Sequence, residues 1–242
     1  MEEPQPGPEA DAHGHTHRDV QSGGPRAAVF GVSDGLVTNV SLILGVAGAQ
    51  PGAGVVRLTG LAGMVAGAFS MAAGEYVSMQ AQRELLEREL EVERQALRKT
   101  PRAEGDELAA IYARRGIDPV LARELADDVM SDPDLALETH AREELGINPQ
   151  SLGSPWRAAS FSFVAFAIGA LLPLLPWLLG SGTAATLASV AIGVVASLAV
   201  GWALAYFTGR SRLRSALRQL AVATVAASAT FAIGRAVGAS SG

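Results

Sequence analysis

The sequence predicts an all-α, polytopic membrane protein with five transmembrane helices and a cytoplasmic helical domain inserted between the second and third spans. Hydrophobic residues make up 49% of the 242 residues, yet 18% are charged, and the charges are segregated. Of the 24 acidic residues, 18 lie between Glu75 and Glu144, and the last 98 residues contain none. The apolar stretches are rich in glycine and other small residues, which favours closely packed membrane helices.

The five predicted spans follow from length and hydropathy. A helix that crosses the hydrocarbon core needs about 20 mostly apolar residues. The stretches that satisfy this are 27–49, 55–79, 158–179, 183–207 and 217–237. The fifth is the weakest, because it carries Arg218 and Arg235 near its ends, where long basic side chains reach the interface. The polar, Pro- and Gly-rich residues 1–26 lack a signal-peptide pattern, and we expect a disordered cytoplasmic N-terminus there.

The central segment, residues 80–154, has the residue pattern of several helices, separated by residues typical of helix starts and ends. Only small residues interrupt the pattern from the second span to Lys99, so that span is expected to continue as one rod into this segment. Shorter helices are expected at 104–115, 119–130 and 133–145. The Asp-Pro pairs at 118–119 and 132–133 are typical of helix starts, and Gly116 and Gly146 of helix ends. We therefore predict three domains after the N-terminus: spans one and two (27–79), an acidic helical domain (80–154) and spans three to five (155–242).

Orientation follows from the basic residues near the span ends. The first loop has only Arg57, and the loop between spans three and four has no charge. The loop between spans four and five has three arginines, and the central segment has ten Lys and Arg residues. The central domain and the N-terminus are therefore expected in the cytoplasm and the C-terminus outside. The composition, which is rich in Ala, Gly and Arg, favours a bacterial plasma membrane over a vacuolar one.

Several functional classes are disfavoured by composition. The chain has no cysteine, which excludes disulfides, thiolate metal sites and cysteine nucleophiles. The net charge of −5 argues against nucleic acid as a partner. No pairing of a nucleophile with a base and no cofactor fingerprint is visible, so we expect neither an enzyme nor a prosthetic group.

Ionisable residues within spans are the first candidates for function, because each costs on the order of 3 kcal/mol on insertion scales. Asp34 lies in a polar stretch at 33–39, inside an otherwise apolar helix. It either caps the helix at the interface or contributes to an ion path. Met71 and Glu75 are four residues apart and share one helix face. A thioether beside a carboxylate suits a borderline ion such as Fe(II), although a lone methionine more often only packs.

The acidic domain supplies the second set of candidates. Its glutamate run at 84–93 is more often a solvated helix face than a metal site. More informative are Glu104 with Glu107 and His140 with Glu144, because spacings of three and four residues bring each pair to one face. Carboxylates with one imidazole suit Fe(II), Mn(II) or Zn(II), although a charged helical surface is an equally open reading. A further tract in the N-terminus either binds metal loosely or is simply solvated: His13, His15 and His17.

Three motifs together resemble the vacuolar iron transporter family, and the likeness covers roughly residues 28–238. They are SDGL at 33–36, FSMAAGEY at 69–76 followed by the glutamate-rich helix, and ELG at 144–146. The resemblance implies five membrane helices, a homodimer with the transport path between its protomers, and export of Fe(II) from the cytosol in exchange for protons.

The resemblance also implies residue roles. Asp34 and Met71 match residues of the membrane path, and Glu75 matches a neighbouring carboxylate. The glutamates that match the family's cytoplasmic metal-binding domain are Glu93, Glu104, Glu107 and Glu144. The chain departs from the family pattern twice, since Ala96 stands where a further glutamate is expected and His140 where a methionine is expected. Glu89, one turn before Glu93, is a candidate for the missing oxygen ligand.

We therefore expect a divalent metal transporter that moves Fe(II), and also Mn(II) or Zn(II), as bound substrate. Its expected partners are metal ions, protons, the lipid bilayer and a second copy of the chain. One alternative is a membrane-tethered metal buffer or sensor, in which the spans only anchor the acidic helices. A second is a channel or transporter for another solute, with the acidic domain acting in assembly.

Overall fold

The computed structural model describes residues 23–146, 148 and 153–240, and every regular element among them is an α-helix. The predicted His13, His15 and His17 tract lies outside the described residues. The helices are α1 (Gly23–Gly48), α2 (Ala53–Lys99), α3 (Pro101–Arg114), α4 (Pro119–Met130), α5 (Pro133–Glu143), α6 (Pro155–Leu179), α7 (Gly182–Thr208) and α8 (Arg212–Ser240).

Five of these helices, α1, α2, α6, α7 and α8, are long and apolar enough to cross a membrane, which confirms the predicted number of spans. Their ends differ from the sequence boundaries. α1 begins at Gly23 rather than at residue 27, and α8 covers Arg212–Ser240 rather than 217–237. The hydropathy pattern locates the apolar length of a helix, whereas the helix itself continues into the polar residues at its ends.

α2 is a single helix of 47 residues, as its uninterrupted pattern predicts. At 1.5 Å per residue it is about 70 Å long, whereas the hydrocarbon core is about 30 Å thick. Its C-terminal half therefore extends out of the membrane bundle. There it joins α3, α4 and α5, and we call residues 80–146 the helical domain.

The helical domain has a small apolar core of its own between α3 and α4, formed by Leu108, Tyr112, Ala122, Ala126 and Val129. Both Asp-Pro starts are confirmed. The Asp118 carboxylate accepts hydrogen bonds from the Val120 and Leu121 amides, and the Asp132 carboxylate caps α5 in the same way. Such caps satisfy amides that the first helical turn leaves unpaired. They fix where α4 and α5 begin and so fix the direction in which α5 returns to α2.

α1 lies at the centre of the membrane bundle and contacts α2, α6, α7 and α8. Glycines allow two of these approaches. A Cβ at Gly35 would overlap the Phe166 carbonyl of α6, and one at Gly234 of α8 would overlap the Gly45 carbonyl of α1. The backbones therefore touch, as small residues permit in membrane helix packing.

α6 contains Pro173 and Pro176 within the helix. Proline lacks an N–H, so the backbone hydrogen-bond ladder is interrupted there. Three side chains from other helices donate to carbonyls of this region. Asn39 Nδ2 of α1 donates to Ala170 over 2.6 Å, and Ser189 Oγ of α7 donates to Pro173 over 2.7 Å.

The third donor is Arg57 of α2. Its Nε donates to the Trp177 carbonyl over 2.6 Å and its Nη2 to the Gly180 carbonyl over 3.0 Å. A guanidinium at a helix C-terminus also interacts favourably with the helix dipole. Together with the bonds from α1 and α7, these contacts fasten the proline-containing end of α6 to its neighbours.

Candidate metal centre

Three helices of the helical domain meet at one group of potential metal ligands. Glu93 comes from α2, Glu104 from α3 and His140 from α5, and one ligand atom of each lies within 4.8 Å of the others. α5 positions His140 by packing back onto α2, while the turn at Thr100 brings α3 alongside. These are the only three residues that form such a group within the described part of the chain.

The imidazole of His140 is fully buried and faces two carboxylates. Its Nδ1 lies 3.1 Å from Oε1 of Glu93 and 3.8 Å from Oε2 of Glu144. The Glu93 side chain is 9% exposed, whereas the Glu144 side chain is 34% exposed. The Glu93 side of the group is therefore shielded from solvent, whereas the Glu144 side is open to solvent.

Several buried atoms of this group have no hydrogen-bond partner among the described residues: Glu93 Oε1, His140 Nδ1 and His140 Nε2. A buried polar atom left without a partner costs about 1–3 kcal/mol. A cation coordinated by these atoms would remove that penalty. The orphaned atoms thus fit a metal site better than a merely charged helix surface.

The electrostatics of the group favour a bound cation. Burial, together with the nearby charges of Glu144, Glu104 and Glu107, raises the pKa of Glu93 to about 7. Burial also raises the pKa of Glu144, as do the charges of Glu107 and Glu104, while His140 acts against them. With a pKa of about 7, Glu93 is partly protonated at neutral pH, and a divalent ion that binds there would displace the proton.

The ligand set determines which ions fit. Carboxylate oxygens and an imidazole nitrogen suit Fe(II), Mn(II) and Zn(II), while thiolate is absent from the whole chain. The imidazole of His140, in place of the methionine thioether expected from the resemblance, makes the ligand set one of harder donors.

The remaining residues expected in this domain differ in their placement. Glu107 is exposed, but its charge acts on both Glu93 and Glu144, so it lies at the rim of the group. Glu89 is half-buried on α2, one turn before Glu93, and is not one of the three grouped residues. Ala96, one turn after Glu93, is half-buried and offers no ligand atom.

Asp34 lies in the interior of α1, because this helix begins at Gly23. It therefore does not cap the helix, which was one of the two readings from sequence. Its side chain is exposed on the surface of the chain, and Thr38 Oγ1 donates to its Oδ1 over 3.5 Å. Asp34 and Thr38 thus form a polar patch on an otherwise apolar span.

Met71 and Glu75 are both half-buried on α2. Met71 packs against the apolar cluster of Ala68, Phe166 and Ala170, so it contributes to the bundle core as well as to the shared face. Directly after Glu75, the ring of Tyr76 lies 4.9 Å from the Trp156 ring of α6, which is typical of an aromatic pair at a membrane interface.

Sequence reasoning missed the roles of Asn39 and Arg57. Asn39 was grouped with the polar stretch around Asp34, yet it is fully buried and bonds to α6. Arg57 served only as a topology marker, yet it caps the C-terminus of α6. The end of α6 was the available signal for Arg57, because the last carbonyls of a helix have no partners within the helix.

The chain was compared with protein families and curated proteins. The model of the VIT family matches residues 25–235. A protein named vacuolar iron transporter from Acanthamoeba castellanii is 35% identical over 235 residues, covering 94% of this chain and 84% of that protein. Vacuolar iron transporter 1 from Arabidopsis thaliana is 32% identical over 228 residues, covering 92% and 90%. Vacuolar iron transporter 1 from Oryza sativa subsp. japonica is 30% identical, covering 93% and 90%.

Proposed function

The chain belongs to the VIT family, as its motifs predict, and is a multi-pass metal ion transporter rather than an enzyme. From this premise we propose that it exports Fe(II), and also Mn(II), from the cytosol in exchange for protons. The observation that carries the proposal is the group of Glu93, Glu104 and His140, with buried ligand atoms that lack partners. The matched relatives are named as iron transporters, so we propose iron as the principal substrate.

The helical domain would capture the ion. It lies in the cytoplasm if the basic residues near the span ends orient the chain. Residues 75–150 contain 18 acidic and 10 basic residues, a net charge of −8 that attracts cations to this domain. Glu93, Glu104 and His140 would hold the ion, and the more exposed Glu107 and Glu144 would admit it.

Asp34, Met71 and Glu75 would carry the ion through the membrane. A single protomer leaves Asp34 and Thr38 exposed on a span. A carboxylate facing lipid is costly, on the order of 3 kcal/mol on insertion scales. A second protomer covering this face would shield Asp34 from lipid and would place the path residues of both protomers along one shared interface. We therefore propose a homodimer with the path at its interface.

Proton coupling would follow from the carboxylates. An ion that binds to a carboxylate drives off its proton, and reprotonation from the far side favours release of the ion. Such a cycle exchanges metal for protons without a further cofactor. The membrane in question is, on composition, a bacterial plasma membrane.

The proposal is tested by metal uptake into proteoliposomes containing the purified full chain. Uptake of Fe(II) or Mn(II) should rise when the lumen is acidified and should be largely lost in Asp34→Ala. Glu87→Gln, which removes an exposed carboxylate paired with Arg83, is the control and should transport normally. Uptake that ignores the pH gradient, or that survives Asp34→Ala, contradicts the mechanism.

The same assay separates the transporter from the metal buffer. A buffer would bind ions at the helical domain but would show no flux into the lumen. Five candidate spans with Asp34 and Glu75 inside them favour the transporter, since an anchor needs only one span. A transporter of another solute would show neither flux nor divalent binding.

A further inference from the structure

A groove opens between α7 and α8, from the middle of the bundle toward the end farthest from the helical domain. The two helices touch near the other end, where a Cβ at Gly201 would lie 2.6 Å from Cα of Ala216. From that contact they diverge, and α1 forms the floor between them with Val40 and Leu44. The cavity has a volume of about 380 Å³, within the range of about 300–1,000 Å³ that holds small ligands.

The groove is lined mainly by apolar and small side chains. Val190 and Val194 of α7 are 39% and 37% exposed along its edge, so it opens sideways from the bundle. On α8 it extends from Leu220 to Phe231, about 16 Å along the helix axis at 1.5 Å per residue. A sideways opening in a membrane span faces acyl chains, and the length and lining suit one such chain.

Arg235 stands at the mouth of this groove, one turn beyond Phe231 on α8. Its backbone N lies 3.3 Å from the position that a Cβ of Gly48 would occupy, which places it level with the end of α1. Its side chain is exposed, and none of the salt bridges found among the described residues includes it.

Among the described residues, no Asp or Glu side chain lies at this end of the bundle. The only acidic residues within the five spans are Asp34 and Glu75. Asp34 lies 14 residues before Gly48 and Glu75 lies 22 residues after Ala53, which is about 21 Å and about 33 Å along their helices. Arg57 is the second cation here, and its guanidinium is taken up by neutral carbonyls. The part of this end that the structure describes therefore carries net positive charge.

We propose that the groove between α7 and α8 binds one anionic phospholipid, with an acyl chain between the helices and the phosphate on Arg235. Guanidinium groups bind phosphate oxygens through paired hydrogen bonds, and a lipid of net negative charge also offsets the positive end. The site is separate from the metal path. At 3.6 residues per turn, the groove floor of Val40 and Leu44 and the patch of Asp34 and Thr38 lie about 120° apart around α1, so they are on different faces of this helix.

The absence of native cysteine makes the site directly accessible to single-label quenching. The full chain carrying Ser228→Cys, which places a bimane fluorophore in the groove, is reconstituted in phosphatidylcholine vesicles with increasing brominated phosphatidylglycerol. Val225→Cys, at a 70% exposed position outside the groove on the same helix, is the matched control. We expect half-maximal quenching at Ser228 at about fivefold less brominated phosphatidylglycerol than at Val225. Brominated phosphatidylcholine should quench both labels alike.

Arg235→Gln should abolish the difference between the two labels, and Arg235→Lys should retain most of it. Native mass spectrometry of the unlabelled chain provides a second readout. Arg235→Gln should lose the tightest phosphatidylglycerol adduct, while Arg218→Gln, which removes the same charge near the other end of α8, should keep it.

Equal quenching of both labels by phosphatidylglycerol overturns the proposal, as does selectivity that survives Arg235→Gln. A Ser228 label that no lipid quenches also overturns it and indicates a protein partner in the groove. No metal enters these measurements, so their failure is distinguishable from failure of the transport mechanism.

Discussion

The Nδ1 atom of His140 lies 3.1 Å from Oε1 of Glu93, yet neither atom takes part in a hydrogen bond among the described residues. Two helices separated by α3 and α4 thus bring a nitrogen and an oxygen to ion-pair distance in a buried site without a hydrogen bond between them. Glu104 completes the group from α3. This relationship, more than the acidity of the helical domain, distinguishes the site from a solvated surface.

Removing a central ligand should weaken metal binding. Glu93→Gln keeps the size of the side chain but removes its charge, and we expect the affinity for Mn(II) to fall by about tenfold or more, which corresponds to about 1.4 kcal/mol. Calorimetry on the purified full chain measures this. Glu91→Gln, an exposed residue of α2 paired with Arg94, is the control. An unchanged affinity in Glu93→Gln would place the metal elsewhere.

Metal binding should strengthen with pH around neutrality. The pKa of Glu93 is raised to about 7, so this carboxyl is largely protonated below that value and must lose its proton to bind an ion. Between pH 6 and 8 the affinity should rise, with proton release per ion falling as pH increases. Calorimetry in buffers of different ionisation enthalpy counts the protons, and a pH-independent affinity contradicts the assignment.

The same raised pKa predicts how the metal-free protein responds to pH. The folded state holds the Glu93 proton more tightly than the unfolded state, whose carboxyl titrates near 4.5. This contribution to stability is present below about pH 4.5 and is lost as pH rises to about 7. Glu93→Gln removes the dependence, so the variant's melting temperature should exceed that of the parent chain at pH 8, in detergent and chelator. Equal melting temperatures at pH 8 contradict the shift.

His140 should set the preference among ions. His140→Met restores the thioether that the family resemblance leads one to expect, and a thioether is a poor ligand for a hard ion. We expect the affinity for Mn(II) to fall more than that for Zn(II). Competition between the two ions in calorimetry measures the ratio, and an equal loss for both would indicate that His140 supports the fold without coordinating the ion.

The contact between Gly35 and the Phe166 carbonyl should be intolerant of a methyl group. Gly35→Ala introduces a Cβ that overlaps this oxygen, so α1 and α6 must separate, and overpacking of this kind costs about 1–3 kcal/mol. Gly54→Ala is the matched control, because no atom lies within 4 Å of its Cβ position. Thermal unfolding in detergent should show a lower melting temperature for Gly35→Ala alone.

The sequence predicted those features that depend on local pattern. Hydropathy and length identified five spans, and the Asp118 and Asp132 caps were visible as Asp-Pro pairs. Spacing also paired His140 with Glu144 on one helix. The contact between His140 and Glu93 was beyond such reasoning, because it depends on how α5 packs onto α2. Only the family resemblance pointed to Glu93.

The membrane bundle shows the same limit. A polar stretch from Ser33 to Asn39 was visible in the sequence, but the different environments of its side chains were not. Asp34 and Asn39 are five residues apart, so they face different sides of α1, one exposed and the other bonded to α6. Which side is covered depends on the neighbouring helix, and hydropathy carries no such information.

The continuity of α2 makes the helical domain and the membrane spans mechanically linked. Glu75 and Glu93 lie on the same unbroken helix, 18 residues or about 27 Å apart. A stiff rod of that length acts as a lever, so a tilt of about 10° at Glu75 would displace Glu93 by about 5 Å. A displacement of that size is comparable to the spacing of the three grouped ligand atoms, which lie within 4.8 Å of one another. Any rocking of this span during transport would therefore open or close the ion-holding group from a distance.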